Sequence, residues 1–180
     1  MGVLDGKRIA IVATDGVEEV ELTAPRQAVV DAGATAEIVS PAGGAIQSMN
    51  SDIAPSATYP VDRVAAEVSA DDFDAVILPG GTVNADRLRT DADVLNLVKG
   101  AFAANKPVGV ICHGPWTLVE ADLVKGRTLT SFPSLRTDIR NAGGTVVDEQ
   151  VVVDRGLVSS RDPGDLDAFC EAIVKEFAGA

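Results

Sequence analysis

The chain has very little histidine and cysteine. Its 180 residues include one histidine, His113, and two cysteines, Cys112 and Cys170. One imidazole and two well-separated thiols cannot form a common zinc site, and two cysteines do not form a disulfide framework. We therefore expect two free thiols and no metal. Any step that needs an imidazole must use His113.

Positive charge and long apolar runs are also scarce. The chain has 15 Lys and Arg residues and 27 Asp and Glu residues, which gives a net charge of −12 and a pI near 4.4. This charge would repel nucleic acid and anionic membranes, so we expect neither as a partner. The first apolar run, Ile9 to Ala13, is too short for a signal peptide or a membrane span, which predicts a cytoplasmic protein. The phosphate-binding motifs G-x-G-x-x-G and G-x-x-x-x-G-K-[ST] are missing from the expected turns, and no cofactor is implied.

The residues that are present indicate an α/β fold. A hydrophobic content of 46% with 23% charged residues fits one domain over residues 1–180. Short apolar runs rich in β-branched residues predict strands buried on both faces, and helical patterns separate them. Such alternation predicts a layered, mostly parallel sheet, with a small hairpin between Ala45 and Val68. The predicted core strands are Lys7 to Ala13, Thr35 to Ser40, Asp74 to Leu78 and Val108 to Ile111.

Three turns follow predicted strands and carry chemically useful groups. They are the acidic turn from Asp15 to Glu21, the Pro79-Gly80-Gly81 turn, and the turn that begins at Cys112. Ligands bind at the carboxyl ends of strands in such sheets. If these strands are neighbours, acid, glycine amides and thiol meet in one pocket.

Cys112 is the candidate nucleophile. It ends the strand in the segment PVGVICHGPW, where a sharp turn and a helix starting at Pro115 follow. The N-terminus of a helix favours thiolate over thiol. A free cysteine is more often core filler, which is how we interpret Cys170, but the following His-Gly-Pro favours function for Cys112. His113 is either a surface or capping residue or the base for Cys112, because a strained turn can bring adjacent side chains together.

The surrounding groups leave several choices open. The N–H groups of Gly81 and His113 could form an oxyanion hole, and Gly80 could allow close approach of a substrate. One of Glu18, Glu19 and Glu21 could turn inward, where burial and a nearby thiolate would raise its pKa, but spacing does not say which. Trp116 and Phe132 are either pocket walls or core residues.

Several segments together resemble the PfpI-type intracellular cysteine protease family, in the superfamily shared with the Parkinsonism-associated deglycase. They are DGVEEVELTAP, VILPGG, PVGVICHGPW, KGRTLTSFPSLRTDIRNAGG and VVVDRGLVSSRDPGDLDAF. The resemblance covers nearly the whole chain. It implies the flavodoxin-like three-layer fold of class I glutamine amidotransferases, with a nucleophile elbow.

The resemblance also implies roles for single residues. Cys112 falls on the nucleophile, His113 on the histidine that follows it, and Glu21 on the glutamate that supports the thiolate. Gly81 and the His113 amide match the oxyanion hole. Asp86 is the nearest match to an acid supplied by a neighbouring subunit, although it is shorter than the family's glutamate and its loop is longer by a residue. Because that acid would come from a second copy, the resemblance also implies a homodimer or a ring of dimers.

The implied activities are peptide hydrolysis, removal of methylglyoxal-derived adducts, glyoxalase-like conversion of the free aldehyde and chaperone-like stress protection. A shared fold does not choose between them. The sequence thus predicts a cofactor-independent enzyme in which Cys112 attacks a small carbonyl compound or a peptide. The alternative is a non-catalytic redox sensor in which Cys112 is oxidised to a sulfinate.

Overall fold

The computed structural model describes residues 2–180 and contains twelve strands and six α-helices. The strands are β1 (Arg8–Val12), β2 (Val17–Glu18), β3 (Thr35–Ser40), β4 (Ala45–Asn50), β5 (Ala54–Pro60), β6 (Arg63–Val64), β7 (Ala75–Leu78), β8 (Val108–Ile111), β9 (Thr128–Leu129), β10 (Thr145–Val146), β11 (Val151–Asp154) and β12 (Leu157–Ser160). The helices are α1 (Glu19–Asp31), α2 (Thr82–Leu88), α3 (Ala92–Ala103), α4 (Pro115–Glu120), α5 (Arg136–Asn141) and α6 (Leu166–Ala178).

Seven strands form the central sheet in the order β11-β12-β8-β7-β1-β3-β6. Within this sheet, as described for residues 2–180, only the β11–β12 pair is antiparallel. The remaining strands form a parallel pair, β9 and β10, and a three-stranded sheet in the order β2-β4-β5. The predicted α/β fold with a mostly parallel sheet is confirmed, and the predicted hairpin is β4–β5.

Alternating side chains of the strands bury both faces of this sheet. In β1, Ile9 and Ile11 belong to the core on the side of α1 and α6, whereas Ala10 and Val12 belong to the core on the side of α3. Continuous apolar strands of this kind require cover on both faces, and the helices provide it. Phe169, Ile173 and Phe177 of α6 are fully buried.

Two helices begin as short 3-10 turns. The 3-10 turn Pro133–Leu135 leads directly into α5. The last helix begins as a 3-10 turn, Pro163–Asp165, before α6. Proline at the first position of each turn fixes φ but does not determine which hydrogen-bond pattern follows.

The order of the strands decides where the site lies. β8, β7 and β1 are adjacent, so their carboxyl ends bring the Cys112 turn, the Pro79-Gly81 turn and the acidic turn to one edge of the sheet. The three strands are therefore neighbours, which is the condition under which the sequence predicts that these turns meet in one pocket. Among residues 2–180, no helix combines the length and apolar character needed to cross a membrane.

Candidate active site

Cys112 sits on a tight turn between β8 and α4. Its φ angle is 61°, in the left-handed region that costs a residue with a Cβ atom free energy. Neighbouring backbone holds the turn from both sides: the Cys112 N–H donates to the Ser160 carbonyl at 3.1 Å, and the Cys112 carbonyl accepts from the Phe132 N–H at 3.0 Å. A Cβ at position 114 would lie 2.5 Å from the Leu78 carbonyl oxygen, so the turn requires Gly114.

The turn brings the side chains of two adjacent residues together. Cys112 Sγ lies 3.2 Å from His113 Nδ1, and each residue is only 5% exposed. The His113 ring stacks on Phe132, with 4.6 Å between ring centroids, and meets the edge of Trp116 at 5.5 Å. These two aromatic contacts hold the imidazole in place beside the sulfur.

The other ring nitrogen of His113 has polar neighbours. Nε2 lies 3.3 Å from Thr82 Oγ1 and 3.4 Å from Ser134 Oγ. Burial lowers the pKa of His113, and the Asp52 carboxylate partly opposes this. At neutral pH the ring is therefore largely neutral and can accept a proton.

Of the three acids in the first turn, Glu21 points inward. Its side chain is fully buried in α1, and Oε2 accepts a 2.8 Å hydrogen bond from the Gly80 N–H. Oε1 is buried and has no hydrogen-bond partner among the described residues. The other two acids instead bind the β4–β5 hairpin. Glu18 accepts from the backbone N–H groups of Ser51 and Asp52. Glu19 accepts from the hydroxyls of Ser56 and Tyr59.

Burial raises the pKa of Glu21 to about 8, although the Gly80 N–H and the neighbouring Cys112 side chain act to lower it. Burial also raises the pKa of the Cys112 thiol, and so does the Glu21 carboxylate, while the N–H groups of Gly81 and His113 lower it. A neutral Glu21 no longer repels a thiolate and can donate a hydrogen bond to it. Helix α4 has only six residues, so its dipole contributes less than the sequence suggests.

The sulfur opens into a cleft of about 280 Å³. Glu18, Asp52, Gly81, Phe132 and Pro163 contribute to its walls, together with Glu21 and Cys112. Trp116 lies behind His113, where its indole N–H donates to Asp138 at 2.8 Å. Across the described residues, no group of three or more His, Cys, Asp or Glu side chains is placed to hold a metal ion.

Asp86 lies apart from these groups. It is exposed on α2, and within the described part of the chain no hydrogen bond joins it to Cys112 or His113. A role for Asp86 at this site would have to come from a second copy, as the resemblance implies.

Comparison with known proteins identifies the family of this chain. A sequence profile of the DJ-1/PfpI family matches residues 7–176. The chain belongs to the DJ-1/PfpI family. It is 37% identical over 164 residues to Bacillus subtilis YraA, named as a candidate cysteine protease. The match covers 91% of this chain and 94% of YraA. The chain is 39% identical over 168 residues to a protein of Pyrococcus abyssi named as a deglycase, with 93% of this chain and 98% of the relative covered.

Solved structures of the DJ-1/PfpI family show the same fold. Drosophila melanogaster DJ-1beta superposes with a TM-score of 0.87 at 27% identity and covers 100% of this chain and 92% of its own. A two-domain protein of Anabaena variabilis, with DJ-1/ThiJ/PfpI-like and ferritin-like domains, superposes with a TM-score of 0.88 at 32% identity. That match covers 94% of this chain and 47% of the two-domain protein, so this chain spans about half of its length. The flavodoxin-like fold implied by the resemblance is confirmed.

Sequence reasoning missed three residues around His113: Asp52, Thr82 and Ser134. Asp52 accepts hydrogen bonds from the N–H of Thr82 at 2.7 Å and from its hydroxyl at 3.0 Å. The one signal in the sequence was the position of Thr82 directly after the Gly80-Gly81 pair. The hairpin that carries Asp52 gave no indication that it folds over the cleft.

Proposed function

We propose that this DJ-1/PfpI family member is a cysteine-dependent hydrolase with Cys112 as nucleophile and His113 as base. The observation that supports this most directly is the 3.2 Å separation of Cys112 Sγ and His113 Nδ1 on a strained turn. A thiol, a neutral imidazole and a buried carboxyl at one cleft fit nucleophilic attack on an electrophilic carbonyl.

The first step of the proposed reaction forms a bond between sulfur and carbon. His113 Nδ1 takes the thiol proton as Cys112 Sγ adds to the carbonyl carbon, and the carbonyl π electrons move to oxygen. The N–H groups of Gly81 and His113 face the sulfur, where they can donate to this oxyanion. Glu21, neutral below its pKa of about 8, keeps a second negative charge away from the sulfur.

The second step depends on the substrate. For a peptide amide, the C–N bond breaks, the amine leaves with the proton from His113, and water hydrolyses the thioester. For an aldehyde carbonyl, the oxyanion takes the proton back from His113, and the first product is a hemithioacetal. The small cleft favours a small carbonyl compound or an extended peptide. The names of the two relatives, a cysteine protease and a deglycase, support the same two classes. A deglycase activity would give the protein a protective role under carbonyl stress.

A side-by-side assay tests the proposal. Aldehyde consumption, release of methylglyoxal adducts and peptide amide cleavage are measured on wild type, Cys112→Ser and His113→Ala. Cys112→Ser should abolish turnover, and His113→Ala should reduce it about 10²-fold or more, as expected for loss of a general base. Cys170→Ser, at the other thiol, is the matched control and should keep full activity, since Cys170 lies in α6 outside the cleft. Wild type that turns over none of these substrates, or an active Cys112→Ser, contradicts the proposal.

The free oxygen of Glu21 favours one other function, a redox sensor. A neutral Glu21 beside the sulfur could donate to a sulfinate oxygen, and Oε1 has no other partner within residues 2–180. Two molecules of peroxide would convert the thiolate to sulfenate and then sulfinate, each releasing water. Mass spectrometry after mild peroxide should then show two added oxygens on Cys112, on a protein with no turnover.

We further propose that the protein forms a homodimer or a ring of dimers, with Asp86 of one copy near His113 of another. The exposed position of Asp86 on α2 supports this arrangement. No nucleic acid or membrane partner is proposed for a chain with a net charge of −12.

A further inference from the structure

His113 is joined to an acid of its own chain through one hydroxyl. Asp52 Oδ2 lies 3.0 Å from Thr82 Oγ1, and Thr82 Oγ1 lies 3.3 Å from His113 Nε2. Asp52 Oδ1 also accepts the backbone N–H of Thr82 at 2.7 Å. Asp52, Thr82 and His113 thus form a chain of polar contacts. This chain ends at His113 Nε2, whereas Cys112 contacts the other ring nitrogen, Nδ1.

Counting protons along this line fixes the direction of each hydrogen bond. An ionised carboxylate only accepts, so the single proton of the Thr82 hydroxyl points to Asp52. Thr82 Oγ1 then has only lone pairs to offer to His113, and Nε2 must be the donor. In a neutral ring the proton on Nε2 leaves Nδ1 unprotonated, and Nδ1 is the nitrogen 3.2 Å from the sulfur.

We propose that Asp52, acting through Thr82, is the positioning acid of this site and holds His113 in the tautomer that can accept the Cys112 proton. The wrong tautomer would point an N–H at the thiol and leave the sulfur without a base. Asp52 thus performs, from within the same chain, the orienting role of the third member of a catalytic triad. The kinetic consequence rests on the proposed hydrolase function, whereas the tautomer does not.

The hairpin is built to hold Asp52 in this position. Asp52 and its neighbour Ser51 have φ angles of 64° and 52°, and their N–H groups both donate to the Glu18 carboxylate, at 3.0 and 2.8 Å. Asp and Asn tolerate this left-handed backbone better than most residues. Glu18 precedes α1, so the acid on the hairpin is anchored to the same turn that supplies Glu21.

Ser134 is compatible with the same tautomer. Its hydroxyl lies 3.4 Å from Nε2 and can accept as well as donate. It has no carboxylate partner among the hydrogen bonds of residues 2–180, so it does not impose a direction by itself. The direction comes from Asp52.

Nitrogen NMR reads the tautomer directly, because His113 is the only histidine. In protein labelled with 15N-histidine at pH 8, the protonated and unprotonated ring nitrogens resonate far apart, and their couplings to the ring C–H protons identify them. Wild type should show a proton on Nε2 and a bare Nδ1. Asp52→Asn should move the proton toward Nδ1, because the Asn amide group donates to Thr82 Oγ1 and frees the Thr82 proton to point at Nε2.

Matched variants separate this role from a merely structural one. Thr82→Val keeps the shape but removes the hydroxyl, and should give a mixture of tautomers. Thr82→Ser keeps the hydroxyl and should restore the wild-type spectrum. Asp122→Asn is the control for Asp52→Asn, since Asp122 is exposed and also has a left-handed backbone, with φ at 61°. It should leave the spectrum and the turnover unchanged.

Kinetics give the second measurement. Asp52→Asn and Thr82→Val should lower kcat by about 10²-fold with a smaller change in KM, the size expected for impaired general base catalysis. The inference is overturned if wild type carries its proton on Nδ1, if both ring nitrogens are protonated at pH 8, or if Asp52→Asn and Thr82→Val leave the tautomer unchanged. Wild type without turnover contradicts the proposed hydrolase, but the NMR spectra still decide the role of Asp52.

Discussion

The carboxyl of Glu21 and the N–H of Gly80 are joined by a 2.8 Å hydrogen bond, although 59 residues separate them along the chain. One carboxyl oxygen is thus fixed against the turn after β7 while the whole side chain is buried. This bond connects the acid on α1 with the glycine turn and places both beside Cys112.

The pH dependence of stability should show the buried Glu21. Its pKa is about 8 in the folded protein and 4.5 without the protein environment, so the folded state binds more protons between these values. The contribution of the neutral carboxyl is full below about pH 4.5 and is lost as the pH rises toward 8, at up to about 1.4 kcal/mol per pH unit. Urea unfolding of wild type and Glu21→Gln from pH 5 to 8 measures it.

The difference between the two proteins is the informative quantity, because all other titrating groups are shared. Wild type should lose stability relative to Glu21→Gln as the pH rises. A constant difference over this range would mean that Glu21 ionises normally.

Gly80 should not tolerate even one added methyl group. A Cβ there would collide with Glu21 Oε2 and lie 2.6 Å from Cys112 Cβ and 3.1 Å from Cys112 Sγ. Gly80→Ala should therefore cost about 1–3 kcal/mol, as overpacking does, and displace the carboxyl from the sulfur. Thermal unfolding and turnover measure the two effects. Gly43→Ala, where the nearest atom is 3.6 Å away, should change neither.

Trp116 should report the protonation of His113. It is the only tryptophan, and its ring lies 5.5 Å from the imidazole. A protonated imidazole quenches a neighbouring indole, so fluorescence should fall as His113 gains its proton. Because burial lowers the pKa of His113, the midpoint should lie below the ordinary value of 6.5. A midpoint at or above 6.5 contradicts this, and His113→Ala should remove the transition.

Mixing an Asp86→Ala variant with a Cys112→Ser variant tests the role of Asp86 across subunits. Asp86→Ala retains Cys112, and Cys112→Ser retains Asp86, so a mixed oligomer can assemble one complete site from two chains. Activity should reappear on mixing if the acid acts in trans. If Asp86→Ala is fully active alone, Asp86 does not act at the site of a second copy.

The parts of the site that follow from local sequence could be predicted. Apolar β-branched runs identified β1, β7 and β8, and the ICHGP segment identified the turn at Cys112, because both patterns are continuous in sequence. To predict that Glu21 is the buried acid, one must know which face of α1 points to the core. The spacing of the EEVE string does not give that. Asp52 and Thr82 meet across 30 residues, through the way a hairpin folds over the sheet edge, and no local pattern encodes that contact.

The left-handed backbone at Cys112 has a consequence for stability. A residue with a Cβ atom costs about 1–2 kcal/mol in this conformation, and glycine avoids that cost. Selection for stability alone would therefore favour glycine at position 112. Cysteine at this position therefore costs the fold free energy, and strained backbone of this kind is concentrated at active sites and ligand clamps.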